Sequence, residues 1–99
     1  MERGGCIYIM SSNNNSTLYV GVTSQLRQRV LAHKTKKYPN SFTAKYHCVK
    51  LVYYQGFYSI EEAIAAEKRI KAGSRQQKEA LINSCNLTWR DLWEDICEW

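Results

Sequence analysis

The sequence is poor in most features that would take it out of the globular class. A single proline and five glycines are too few for a collagen-like, low-complexity or disordered chain. The longest apolar runs, Cys6-Ile7-Tyr8-Ile9-Met10 and Leu51-Val52-Tyr53-Tyr54, fall far short of the ~20 residues that a bilayer-spanning helix needs. No membrane role is therefore expected. No basic segment precedes a long apolar stretch, so a signal peptide is not expected either. Cys6, Cys48, Cys85 and Cys97 show no C-x-x-C spacing, which disfavours structural zinc. Without a secretion signal they read as four reduced thiols in a cytoplasmic protein. At 99 residues and 44% hydrophobic, the chain has room for one core, so a single domain over 1–99 is expected.

Acid is the other scarcity, and it is local. Residues 1–59 hold one acid, Glu2, against eight bases: Arg3, Arg27, Arg29, Lys34, Lys36, Lys37, Lys45 and Lys50. Residues 60–99 hold eight acids and six bases, so +7 and −2 combine to the net +5. A concentrated basic half is the electrostatic footprint of a polyanion-binding protein. Charge alone separates that reading only slightly from a merely soluble basic surface.

Two β-prone runs, 5–10 and 18–22, flank the polar stretch 11–17 and should form an antiparallel hairpin. Segment 24–34 carries Leu26, Val30 and His33 at helical spacing, with Ser24 as candidate N-cap. Residues 35–47, which contain the only proline, read as a basic, aromatic loop, and 48–54 as a third strand. Ser59 and Glu62 fit a capping box for a helix to about Ala72, stopped by Gly73. Ser74-Arg75-Gln76-Gln77 opens another helix bearing Leu81 and Ile82, and a short last one should begin at Thr88 with Asp91 in the reciprocal position. The order ββαβααα predicts the α+β class: a small three-stranded antiparallel sheet with one face covered by helices.

Several residues sit where their chemistry is costly. Glu67 lies on the apolar stripe of its helix with Ala63, Ile64 and Ile70. A carboxylate there needs a cation, hydrogen bonds or a metal, and a plain structural partner would be Arg29 or Lys71. Arg29 and His33, four apart, share a helix face with Leu26 and Val30, while Arg27 and Lys34 are better placed for solvent. A half-buried guanidinium suits a carboxylate or phosphate, and an adjacent histidine can move a proton; a structural ion pair and a core-edge histidine are the plain alternative. Tyr8 and Tyr19 would pack in paired strands, and Gly21 in a strand interior marks a bulge or close approach.

Taken in order, these residues resemble the GIY-YIG nuclease superfamily, in particular its small bacterial members. Cys6-Ile7-Tyr8 stands where the family has Gly-Ile-Tyr, and Tyr19-Val20-Gly21 stands for Tyr-Ile-Gly. LYVGVTSQLRQRVLAHK, Leu18 to Lys34, is similar to the family's strand-into-helix block. Phe42-Thr43 with Lys45-Tyr46, then LVYY, then EEAIAAEKRIK, continue the pattern. The resemblance implies hydrolysis of phosphodiester bonds in DNA with one divalent metal, Mg²⁺ or Mn²⁺. It implies Glu67 as metal ligand, Tyr8 as general base assisted by Tyr19 or His33, and Arg29 as the charge neutralising the phosphate. A phenol with a pKa near 10 needs a depressed pKa or a relayed proton for that task, and Arg29 and the metal are the expected source. Gly21 would let substrate approach the backbone, and Lys34, Lys36, Lys37 and Lys45 would track phosphates beside Tyr38, Phe42 and Tyr46. Two positions depart from the pattern: Cys6 replaces the first glycine, and Asn83 or Asn86 would have to serve for an asparagine many members carry after the glutamate.

No specificity module is visible, so structure-selective or weakly sequence-specific cutting is expected, of the kind used in DNA repair or recombination. RNA stays open as substrate, as does a protein partner or homodimer. A binding module of the same fold without catalysis is the alternative. The acidic end with Trp89, Trp93 and Trp99 reads as an amphipathic element closing the core, with a protein-docking role as its rival.

Overall fold

β1 (Gly5–Ser11) is buried along its whole length, and that decides the architecture. Its side chains alternate between two apolar layers. Cys6, Tyr8 and Met10 join Leu26, Val30, Leu51, Leu92 and Ile96 in one. Ile7 and Ile9 join Val20, Val52, Ala63, Ala66 and Ile82 in the other. A strand covered on both faces reads as a continuous apolar run instead of an alternation, which is the form of CIYIM. The expectation of one covered face is corrected: both are covered.

The computed structural model describes residues 4–99, so Glu2 and Arg3 of the charge balance lie outside the described residues. β1 is the middle strand of an antiparallel sheet ordered β2-β1-β3, with β2 at Leu18–Thr23 and β3 at Lys50–Phe57. Tyr8 pairs with Gly21 on one side and Tyr54 on the other. The β1–β3 register slips between Ile9, opposite Tyr53, and Met10, opposite Leu51. Val52 is thus the extra residue of a bulge. The slip lets Val52 and Tyr53 enter the same layer while Leu51 and Tyr54 reach the other.

Helix α1 (Leu26–Lys34) follows β2, and α3 (Ile60–Ala72), α4 (Arg75–Cys85) and α5 (Trp93–Ile96) follow β3. α1 and α5 contribute to the Tyr8 layer, α3 and α4 to the opposite one. Ser59 Oγ accepts from the Glu62 amide at 3.2 Å, capping α3. Ser74 and Gln77 form the full reciprocal box on α4, at 3.1 and 2.9 Å. Three local expectations need correction. Ser24 does not cap α1: the helix starts after Gln25, whose amide donates to Thr23 Oγ1 at 3.0 Å. The 35–47 loop contains a helical turn, α2 (Phe42–Lys45), capped by Ser41 Oγ accepting from Ala44 N at 3.3 Å. The last helix starts at Trp93, not Thr88, because Trp89 has φ 56°, outside the right-handed helical region. Leu92 is its N-cap, without a side-chain cap, and Asp91 just before it accepts from Trp93 N at 3.0 Å instead of closing a box with Thr88. None of the four cysteines is in a disulfide among the described residues.

Candidate active site

Tyr8 is fully buried, and its ring crosses β2 at Gly21. A Cβ on Gly21 would lie 2.4 Å from Tyr8 Cζ and 2.5 Å from its hydroxyl. The space opened by the missing side chain is therefore filled by the tyrosine. That corrects the expectation that Gly21 makes room for substrate.

The Tyr8 hydroxyl shares a 2.8 Å hydrogen bond with His33 Nε2. His33 Nδ1 shares another of 2.8 Å with Thr43 Oγ1, which lies 3.3 Å from the capping hydroxyl of Ser41. Strand, helix and the 41–43 turn thus converge on one imidazole. Thr43 is almost wholly buried. Phe42-Thr43 belongs to the stretch that carries the family resemblance, but nothing in the sequence pairs Thr43 with His33; only the contact identifies that. Tyr19 stands against this pair, its ring centroid 6.3 Å from Tyr8 and 5.5 Å from His33.

Electrostatics assigns different tasks to the two hydrogen-bonded rings. Burial, then the Arg29 guanidinium, lowers the His33 pKa to about 4, so the imidazole is neutral at pH 7. Burial, then the neighbouring Tyr19 phenol, pushes Tyr8 well above the ordinary tyrosine range; Arg29 pulls it down through charge and hydrogen bonding, and Glu67 pushes it up. The net direction is upward, so the charge of Arg29 alone does not bring the phenol below its ordinary value.

Arg29 is an exposed member of α1, and its expected half-burial is corrected. The residues assigned to solvent are the ones held. Arg27 Nε donates to the Cys97 carbonyl at 2.7 Å and sits over the Trp93 ring. Lys34 forms an ion pair with Asp91 and donates to the Val49 carbonyl at 2.9 Å. Lys34 thus ties α1 to the C-terminal segment, and its charge is committed there. Lys36 Nζ donates to His47 Nδ1 at 2.5 Å, Lys37 lies over the Tyr38 ring, and Lys45 is exposed on α2.

Glu67 approaches from α3. Its side chain is 13% exposed and accepts from Lys71 Nζ at 3.1 Å, the other side chain being 54% exposed. Lys71 also lies 5.8 Å from the Tyr19 ring centroid. Among the described residues no three His, Cys, Asp or Glu side chains gather to hold a metal. A single half-sheltered carboxylate fits a hard cation that keeps most of its waters, as Mg²⁺ and Mn²⁺ do, and does not fit a closed zinc site. Its Lys71 partner reaches it from solvent one helical turn on, with half of the lysine side chain exposed.

Neither candidate asparagine is free. Asn83 Oδ1 accepts from Trp89 Nε1 at 2.6 Å, and buried Asn86 donates to the carbonyls of Val52 at 3.1 Å and Arg90 at 2.8 Å. Cys6, in place of the first motif glycine, is fully buried in the Tyr8 layer. The acidic end closes the core, with Trp93 against one layer and Trp89 against the other. No helix among the described residues is long and apolar enough to cross a membrane.

Comparison with known proteins bears on the family and the fold. A UPF0213 protein of Streptococcus pneumoniae is 35% identical over 84% of this chain and 82% of its own length. One from Clostridium perfringens is 39% identical over 91% and 95% respectively. The solution NMR structure of the UPF0213 protein BH0048 from Bacillus halodurans superimposes with a TM-score of 0.56 at 26% identity, covering 88% of this chain and 90% of that one. The model of the GIY-YIG catalytic domain matches residues 4–80, the segment that carries Tyr8, Tyr19, Arg29, His33 and Glu67. The chain belongs to the GIY-YIG family, a superfamily of nucleases, and to its small UPF0213 branch.

Proposed function

We propose that the protein is a metal-dependent endonuclease that hydrolyses phosphodiester bonds in DNA, with weak sequence preference or selection by DNA structure. The observation that carries this is the chain Tyr8–His33–Thr43, two hydrogen bonds of 2.8 Å that meet on a neutral imidazole. Tyr8 takes the proton of the attacking water as its own proton passes to His33 Nε2, so no free phenolate has to form in a buried site. Thr43 fixes the ring and, accepting from Nδ1–H, leaves Nε2 as the acceptor. Arg29 offsets charge developing on the phosphate. Glu67 holds the divalent ion, which when bound polarises the phosphate and stabilises the leaving oxygen. One such centre cuts one strand; a double-strand break takes two copies or two encounters. A role in repair or recombination rests on analogy within the family.

Binding without cleavage is the second reading, and the Lys71 partner on Glu67 favours it. One assay separates them: labelled single-stranded, duplex, flapped and branched DNA with Mg²⁺ or Mn²⁺, using wild type, Tyr8→Phe and Glu67→Ala. Metal-dependent cutting that falls at least ~100-fold in each variant is expected. A folded wild type that binds all these DNAs and cuts none with either metal overturns the nuclease reading.

A further inference from the structure

Beyond the chemistry at Tyr8, an aromatic row runs outward from the site. The Tyr19 ring lies 6.0 Å from Phe42, and Phe42 lies 4.6 Å from Tyr46, interplanar angle 39°. Phe42 is 46% and Tyr46 53% exposed, so two large rings stand in solvent where apolar surface is ordinarily withdrawn. Past Tyr46 opens a cleft of about 420 Å³, walled by Lys45 and His47 on one side and by Asn13, Asn14 and Thr17 of the β1–β2 loop on the other. The loop wall is braced. Lys50 Nζ donates to Asn15 Oδ1 at 2.6 Å, and Arg75 donates to the Ser16 carbonyl at 2.8 Å and the Asn15 carbonyl at 2.5 Å. The surroundings are mainly basic: between Arg3 and Ile60 the chain has no Asp or Glu, and Lys45, Lys36 and Lys71 flank the row, with Glu67 on Lys71 and Glu79 on Arg75 as the acids at its borders.

We propose that Phe42, Tyr46 and the adjoining cleft form a subsite for an unpaired nucleotide of the DNA strand being cut, its base stacked on the rings and its phosphate beside Lys45. This rests on the nuclease reading only for where the scissile phosphate lies. A π-face set in a positive field matches a nucleobase with its phosphate. Inside a duplex both faces of each base are already stacked, so such a ring finds a partner only at a single strand, a flap or a junction. The cleft volume is within the ~300–1,000 Å³ of small-molecule sites, and its polar walls offer amide and hydroxyl groups to a base edge.

The test is metal-free binding, by fluorescence anisotropy, of labelled single-stranded and fully paired DNA to wild type, Phe42→Ala, Tyr46→Ala and Phe42→Trp, each checked for folding by circular dichroism. Each alanine variant is expected to weaken single-strand binding about 5–50-fold and duplex binding less than ~2-fold, while Phe42→Trp stays near wild type. A single abasic nucleotide, moved along the strand, should lower wild-type affinity at one position and leave Phe42→Ala unaffected there. Equal loss on both DNAs, or no loss, overturns the subsite; unchanged DNA binding would leave the exposed rings as a surface for protein. If wild type cuts nothing with Mg²⁺ or Mn²⁺ but the binding pattern holds, the nuclease reading falls and the subsite stands.

Discussion

Adding one methyl group at Gly21 probes the geometry on which the site depends. In Gly21→Ala the new carbon would meet Tyr8 Cζ at 2.4 Å, Oη at 2.5 Å and Cε1 at 2.8 Å. Carbon contacts settle near 3.5–4.0 Å, so ring and strand must part by about 1 Å. The ring has little freedom, being fully buried between Tyr19 and His33. A shift of about that size takes the 2.8 Å bond to His33 past the useful limit. Overpacking costs about 1–3 kcal/mol and the lost hydrogen bond about 1. Against these, replacing a strand glycine gains roughly 0.5–1. The balance is a loss of about 1–3 kcal/mol, serious where a domain holds ~5–15 in all. Urea unfolding of wild type, Gly21→Ala, Tyr8→Leu and the double variant measures it. Leucine lacks the ring's far atoms, so Gly21→Ala should be neutral or mildly stabilising in that background. The coupling should therefore be about 1–3 kcal/mol, favouring the double variant. An equal cost in both backgrounds would refute the account of Gly21 as the space for Tyr8.

Two further outcomes follow from the same contacts. His33 has a pKa lowered to about 4 from the ordinary 6.5, so between those values the unfolded chain binds a proton the folded one does not. Its contribution is complete above pH 6.5 and is lost as pH falls through that window, by less than the ~3 kcal/mol of a fully buried ring because solvent reaches and screens this one; His33→Gln should flatten this part of the urea-midpoint profile, and an unchanged slope would refute a neutral imidazole in the fold. Asp91→Ala leaves the Leu51 and Trp93 amides, now bonded at 3.1 and 3.0 Å, without their acceptor and frees Lys34. It should cost about 2–4 kcal/mol in thermal or urea unfolding, with cleavage per folded molecule unchanged; a loss of cutting at full stability would make Asp91 part of the site.

What the sequence reveals depends on whether the physics is local. The hairpin, the Ser59 and Ser74 caps and the stop at Gly73 are set by neighbours along the chain, and they stand close to where spacing puts them. Glu67 is also legible: its partner is Lys71, one helical turn on, and i,i+4 pairing is visible in a string of letters. Arg27, Arg29 and Lys34 show the opposite case. On a helix of nine residues, which cation is sheltered depends on a segment some 60–70 residues away, where the Cys97 carbonyl, Asp91 and Trp93 wait. Helical spacing carries no trace of them. Gly21 is legible as a close approach but not as the space for Tyr8, because a missing side chain says that something approaches and not what.

The sheet has two edges, and the chain treats them oppositely. An unpaired edge is a template for association, and β3 is closed against it at Leu51 and Val52. The Leu51 amide donates to Asp91 at 3.1 Å, its carbonyl accepts from Leu92 N at 2.7 Å, and the Val52 carbonyl at the bulge accepts from Asn86 at 3.1 Å. Residues 86–92 thereby do for the start of this edge what a fourth strand would do. That work occupies Asn86, while Asn83 is held by Trp89. On the β2 side, Tyr8 crosses the strand at Gly21, Tyr19 rises from it, and Glu67 with Lys71 arrives from α3. A carboxylate on one layer and a tyrosine–histidine pair on the other meet only where the sheet ends. The three-stranded sheet is narrow enough for a side chain from its middle strand to reach that line, provided the residue beside it has no side chain of its own.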